Sequence, residues 1–143
     1  MKISGHRNTA LSTEQIGTAI SNPRAMRRAI PRCRGVLAGE DGSFRVRIAL
    51  TAGIMEIPLS ANVTSTGDPL ALSVQGEGLA NGLTAMITFM PSPSPGTGRL
   101  NYNAVLSMRG TIGGLLGKRV ENALDKYVQE FLKRIEDWMA EKA

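Results

Sequence analysis

Cysteine, histidine and aromatic residues are scarce in this chain of 143 residues: one Cys, one His, and Phe, Trp and Tyr together at 4%. A single cysteine excludes an internal disulfide, and no Cys/His set exists to hold a structural zinc. No aromatic is interleaved with the arginines, so the stacking platforms of nucleic-acid binders are missing and no nucleic-acid partner is expected. Long hydrophobic runs are absent too. The purely apolar stretches are a few residues long, far short of the roughly 20 that a membrane helix needs. After Met1-Lys2-Ile3 the chain turns polar, with Ser4, His6, Arg7, Asn8 and Thr9, so no secretory leader is expected and the cytoplasm is the default compartment.

What is present is an ordinary globular composition, with 42% hydrophobic and 20% charged residues. The length suits one domain over residues 1–143, large enough to bury about two thirds of its unfolded surface. The net charge of +5 is unevenly placed. Residues 1–50 hold nine Lys/Arg against three acids, while residues 111–143 hold six against six. The excess concentrates in Arg24, Arg27, Arg28, Arg32 and Arg34, with Arg45 and Arg47 beyond. Such a patch is either a solvated surface or a docking site for an anionic membrane or an acidic protein.

The middle of the chain alternates with period two. Phe44, Val46, Ile48 and Leu50 oppose Ser43, Arg45 and Arg47, and Ile57, Leu59, Ala61 and Val63 repeat the pattern. Leu70, Leu72 and Val74 follow. Leu100, Tyr102, Ala104, Leu106 and Met108 then oppose Arg99, Asn101, Asn103, Ser107 and Arg109. Each reads as a strand with one buried face. Leu83 to Met90 is apolar on both faces apart from Thr84 and Thr88, which suits a strand inside the sheet. The turn-like clusters between them (Glu40-Asp41-Gly42, Ser65 to Pro69, Asn81-Gly82, Pro91 to Gly98) are short, so the pairing is antiparallel.

Helical signals flank the sheet. Ser12 can cap a helix to about Ser21, and Pro23 opens a second short one that Pro31 ends. From Thr111 to about Ala140 no proline intervenes. Leu116, Val120, Leu124, Tyr127, Val128, Phe131, Ile135 and Trp138 form an apolar stripe there. The expectation is an α+β fold: a curved antiparallel sheet wrapped around a long C-terminal helix, with two short helices after the first strand. A cavity between sheet and helix follows, lined by Leu59, Leu72, Val74, Ile87 and Phe89, with Leu100, Tyr102, Leu106, Leu116 and Val120 completing it.

Other residues carry weaker signals. Cys33 reads as a structural thiol and His6 as a surface residue, since neither has a catalytic partner in sight. Glu56 and Glu77 share their faces with polar residues and point outward, so paired acid–base work is not expected. Gly113, Gly114 and Gly117 cost about 1 kcal/mol each inside a helix. They allow close approach to a strand, form a mobile cavity mouth, or both. Met55, Met86, Met90 and Met108 fit core packing or an adaptable cavity wall. Tyr102 fits a satisfied core tyrosine or a hydroxyl offered to a ligand carbonyl.

The run Ser21-Asn22-Pro23-Arg24-Ala25-Met26-Arg27-Arg28-Ala29-Ile30-Pro31-Arg32-Cys33 resembles the Asp-Pro…Ile-Pro-Gly-Cys segment of the carbon monoxide dehydrogenase G-subunit family, of the START-like helix-grip superfamily. Gly5, Gly76-Glu77-Gly78, Gly82, Gly98-Arg99-Leu100-Asn101-Tyr102 and Gly113-Gly114-Leu115-Leu116-Gly117-Lys118-Arg119 extend the resemblance over the chain. Two departures stand out: Arg32 replaces the family's usual glycine, and the first helix lacks its frequent tryptophan. The resemblance implies a non-catalytic accessory of a molybdenum hydroxylase whose cavity takes a hydrophobic molecule, with menaquinone as the proposed cargo. It also implies a link between enzyme and membrane, and so peripheral association at the inner membrane face. The alternatives are a cyclase or aromatase of the same superfamily, which needs an acid–base pair in the cavity, and a ligand-free assembly factor, which needs a filled core.

Overall fold

Strand β1 (Lys2–Asn8) leads into two short helices, α1 (Thr13–Ile20) and α2 (Pro23–Ala29). Six strands follow without interruption: β2 (Cys33–Ala38), β3 (Phe44–Ala52), β4 (Met55–Gly67), β5 (Leu70–Gly78), β6 (Asn81–Pro91) and β7 (Arg99–Gly110). Helix α3 (Val120–Lys142) closes the chain. This computed structural model describes residues 2–39, 41–52, 55–67, 70–78, 81–91, 98–110 and 120–142, and the side chains of all these except 50–52, 55–57, 81, 91, 120, 121 and 142.

Local chemistry explains the helix ends. Ser12 accepts from the Gln15 amide while the Gln15 side chain accepts from the Ser12 amide, a reciprocal cap that satisfies two free donors. Asn22 caps α2 through the amides of Arg24 and Ala25, and Pro23 occupies the first turn, where its missing N–H costs nothing. Pro31 stands just past Ile30, the last cap.

The seven strands form one antiparallel sheet in the order β1-β7-β6-β5-β4-β3-β2. The sheet curves around α3, as expected from the sequence. Two expected turns are strand instead. Ser65–Gly67 pair with Leu70–Leu72, and Asn81 and Gly82 pair with Gly78 and Glu77. Ladder hydrogen bonds outweigh turn preference there.

The concave face is covered jointly rather than by α3 alone. Ile16 and Ile20 of α1, with Met26 and Ile30 at α2, join Val128, Leu132 and Ile135 of α3 in a core with Phe44, Val46, Leu72 and Phe89. Beside it, Ile3, Ala85, Ala104 and Leu106 form a smaller cluster. Tyr102, wholly buried, lies across Gly5, its register partner on β1. A Cβ at position 5 would sit 2.3–2.8 Å from the tyrosine ring and hydroxyl, so only glycine admits the ring. The Tyr102 hydroxyl donates to Asp125 of α3.

Arg32 adopts φ +55°, left-handed backbone that L-residues occupy at a cost. The resemblance noted above implies a glycine at this place, the residue that tolerates such backbone best. These contacts make two predictions. Gly5→Ala should lower unfolding free energy by about 1–3 kcal/mol, and by much less in a Tyr102→Leu background, as read by urea denaturation of the double-mutant cycle. Arg32→Gly should be neutral or stabilise by up to about 1 kcal/mol, whereas Arg32→Val should destabilise, because β-branched residues tolerate positive φ least.

Candidate functional site

Between the sheet and the helices lies an apolar cavity of about 80 Å³. Four strands supply its floor through their inward alternation: Val46 and Ile48, Ala61 and Val63, Leu72 and Val74, Ile87 and Phe89. Met26 and Ile30, four residues apart on one helical face, wall it from α2, and Tyr127, Val128 and Phe131 roof it from α3. The hollow has a local cause. In the inward row Val46–Ala61–Gly76–Leu83, the two central residues contribute at most a methyl group.

Polar contacts hold α3 away from this hollow, at two margins. Along β1, Arg7 donates from Nε to Glu136 at 2.6 Å and from Nη1 to Gln129 at 3.1 Å, and Gln129 donates to the His6 carbonyl at 2.7 Å. The Glu136 carboxylate raises the Arg7 pKa despite partial burial. Asp125 takes the Tyr102 hydroxyl along the same side. On the α2 side Arg28 pairs with Glu141, holding that carboxyl below the usual range, and Tyr127 donates to the Pro31 carbonyl at 2.8 Å. Burial pushes the Tyr127 pKa well above its ordinary value, and the nearby Cys33 adds to the shift. Its hydroxyl is thus neutral and already engaged, leaving the ring to face the cavity.

Leu72, Val74, Ile87 and Phe89, expected at the cavity, are part of its lining. Leu59, Leu100, Tyr102 and Leu106 are buried in the surrounding core. Tyr102 spends its hydroxyl on Asp125, so it is the satisfied core tyrosine rather than a donor to a ligand. Leu116, Gly113, Gly114 and Gly117 lie outside the described residues, as do the side chains of Val120, Met55 and Glu56. Arg24, Arg27, Arg28, Arg32 and Arg34 are all exposed. Glu77 and His6 are exposed too, and the half-buried Cys33 thiol approaches the Gly35 carbonyl at 3.5 Å. Met86 is 51% exposed on the outer face, so it packs neither core nor cavity.

Val46, Ile48, Ala61 and Val63 line the cavity from strands without having been expected there, and from the helices sequence reasoning missed Met26, Ile30, Tyr127, Val128 and Phe131 as lining residues. Their helical spacing was visible, but which face meets the hollow depends on the packing of three elements. Among the described residues no group of three His, Cys, Asp or Glu could hold a metal ion, and no helix is long and apolar enough to cross a membrane.

The family model for the G subunit of carbon monoxide dehydrogenase (CoxG) matches residues 5–142. A comparison with curated protein sequences gives no match. Among solved structures, a conserved protein from Geobacillus kaustophilus superposes with TM-score 0.74 at 19% identity, over 99% of this chain and 96% of that one. A START superfamily protein from Mycobacterium smegmatis gives 0.65 at 13% identity, over 99% of both chains. The di-domain ARO/CYC protein StfQ of the steffimycin biosynthetic pathway gives 0.64 at 13%, over 99% of this chain and 51% of that one. At such identities these likenesses establish the fold, which is START-like.

The engaged tyrosine makes a pH prediction. Below pH 10 both folded and unfolded chains keep the Tyr127 proton; above it the unfolded chain releases the proton first, so stability falls as pH rises. Tyr127→Phe should flatten part of that alkaline limb in unfolding titrations between about pH 9 and 11. At neutral pH it should cost about 1–3 kcal/mol, because the Pro31 carbonyl loses its donor.

Proposed function

Since the chain belongs to the CoxG family of carbon monoxide dehydrogenase G subunits, we propose that it is a carrier, a non-catalytic accessory of a carbon monoxide dehydrogenase-like molybdenum hydroxylase. Its cavity holds a hydrophobic molecule, quinone or lipid-like, with menaquinone the foremost candidate. The observation that carries this reading is the cavity wall, which is apolar throughout among the described residues, the one nearby hydroxyl being turned to Pro31. Such a wall replaces the bilayer as solvent, contributing about 25 cal/mol per Å² of apolar surface it covers.

The hollow is small. An engineered apolar cavity of about 150 Å³ accepts benzene, so a ring-bearing guest must push side chains aside here. Met26, with three rotatable bonds, is the wall residue most able to yield. Gly113, Gly114 and Gly117 form the mouth in this proposal. Arg24, Arg27, Arg32 and Arg34 meet the anionic membrane or the enzyme, and so place the protein at the inner membrane face.

The likeness to an ARO/CYC protein supports a second reading, cyclization or aromatization within the cavity. That chemistry needs an acid–base pair aimed inward, and Glu77 and His6, the candidates with described side chains, are exposed. The carrier reading is therefore preferred.

Native mass spectrometry of protein purified from its own host, followed by organic extraction, tests the proposal. A co-purifying quinone or isoprenoid is the expected result. A clean unliganded mass, unshifted after incubation with menaquinone analogues, overturns it in favour of an assembly factor. Ala61→Leu, which fills the hollow, should weaken analogue binding at least tenfold while stabilising the fold by about 0.5–2 kcal/mol.

A further inference from the structure

The two edges of the sheet are not alike. At β1, helix α3 supplies cover: Gln129 donates to the His6 carbonyl, and Arg7 reaches across to Glu136. The other edge strand is β2, which pairs only with β3. There the Gly39 amide donates to the Ser43 carbonyl at 2.7 Å, in line with the β2–β3 register, and this fixes the parity of the edge. Gly35 and Leu37 turn their peptide groups toward β3, and Val36 and Ala38 turn theirs away from the sheet. Among the described residues nothing takes the outward peptide groups of Val36 and Ala38. Exposed edges are ordinarily blunted by charge, proline or a bulge. From Gly35 to Ala38 there is neither charge nor proline, and the irregularity in the ladder lies earlier, between Cys33 and Gly35.

The side chains on this strand fit a copy of themselves. Leu37 stands on the outer face opposite Arg45 and is 72% exposed, more than any other large hydrophobic residue among those described. Two residues back on the same face is Gly35, where a Cβ would meet nothing within 4 Å. Val36, on the inner face, is half-buried against the core. Charge changes sign along the strand. Arg32 and Arg34 stand at its start, and Glu40 and Asp41 follow its end. Hydrogen bonds from Ser43 hold the Asp41 carboxyl below the usual range, so that end carries negative charge.

We propose that β2 pairs antiparallel with β2 of a second copy of this chain, across a two-fold axis at Val36. In that register the outward peptide groups of Val36 bond those of its counterpart. Leu37 of each copy then falls opposite Gly35 of the other, in the closer type of antiparallel pair with Cα atoms about 4.5 Å apart. The leucine side chain fills the space that glycine leaves open, and the two-fold axis makes the contact twice. Charge selects the same partner and the same direction. Antiparallel pairing sets the basic start of one β2 beside the acidic end of the other, whereas parallel pairing would set like beside like. An interface of one strand is small, so the association is weak and depends on concentration. Arg24 and Arg27, on α2, take no part in it. The inference does not depend on what the cavity holds.

Sedimentation velocity of the full chain over a range of concentrations tests the pairing, and a monomer–dimer equilibrium is the expected result. Gly35→Val fills the slot from its own chain, and Leu37→Lys changes only an exposed side chain. Each should weaken dimerisation at least tenfold with circular dichroism unchanged. Arg32→Asp and Asp41→Lys each place like charges together at both ends of the pair, so either variant alone should dimerise more weakly. An equimolar mixture of these two should recover the dimer, because each altered residue then meets its opposite. A chain that stays monomeric at every concentration overturns the proposal. So does a dimer that Gly35→Val and Leu37→Lys leave intact, which would assign association to another surface. A mixture no tighter than either charge variant alone overturns the antiparallel arrangement, and the proposal with it.

Discussion

The hydroxyl of Tyr102 reaches the carboxylate of Asp125 only because residue 5 has no side chain. That one vacancy lets a large ring lie flat across the edge strand and carry a hydrogen bond from the sheet to the helix. Arg7, Gln129 and Glu136 continue the same seam toward the end of α3. On the far side α3 rests on α2, through Arg28 with Glu141 and through Tyr127 with the Pro31 carbonyl. A helix tied at both margins bridges the sheet rather than settling into it, and the space beneath the bridge is the cavity. Dispersion would close such a gap if the margins allowed, since a void forfeits contacts on every side. The polar seams therefore maintain the hollow against the packing forces that act on it.

The strand pattern was legible because each strand has one wet and one dry face, and alternation survives in any sheet order. Phe44, Val46 and Ile48, or Leu100, Tyr102 and Leu106, could be placed inward from the sequence alone. The two short helices were legible from their ends, where Ser12, Asn22, Pro23 and Pro31 act locally. The expected helix start near Thr111 lies outside the described residues, and the described part of α3 runs over Val120–Lys142. What remained hidden depends on contacts between distant parts of the chain. Nothing near Tyr102 announces Asp125, and nothing near Met26 announces that α2 walls a hollow. Ser65–Gly67 and Asn81–Gly82 misled for a related reason. Their turn preference is local and weak, while the partner strand offers each of them ladder hydrogen bonds.

Among the described residues the cavity wall is apolar, and it is this that favours the carrier proposal over chemistry on this fold. The same architecture serves an ARO/CYC protein, so the fold itself does not choose between the two. The choice rests with the side chains that line the cavity, and among the described residues the strands supply aliphatic and aromatic groups and α2 a thioether. Under the carrier proposal such a lining would select by shape and apolar area, with little power to discriminate among similar hydrocarbons, because one methylene is worth only about 1–3 kcal/mol.

The strand order carries a consequence for how the chain is made. From β3 to β7 each strand pairs with the one before it, so a nascent chain can build the meander hairpin by hairpin. β1 is different: it leaves the ribosome first, yet its partner is β7, with Lys2 opposite Val105. Until β7 emerges, the hydrogen-bonding edge of β1 has no mate, and β7 is likewise open once synthesised. Pairing across so long a separation is slow. During that interval both unpaired edges are exposed to other chains, and crowded synthesis would favour exchange of β1 between neighbouring molecules.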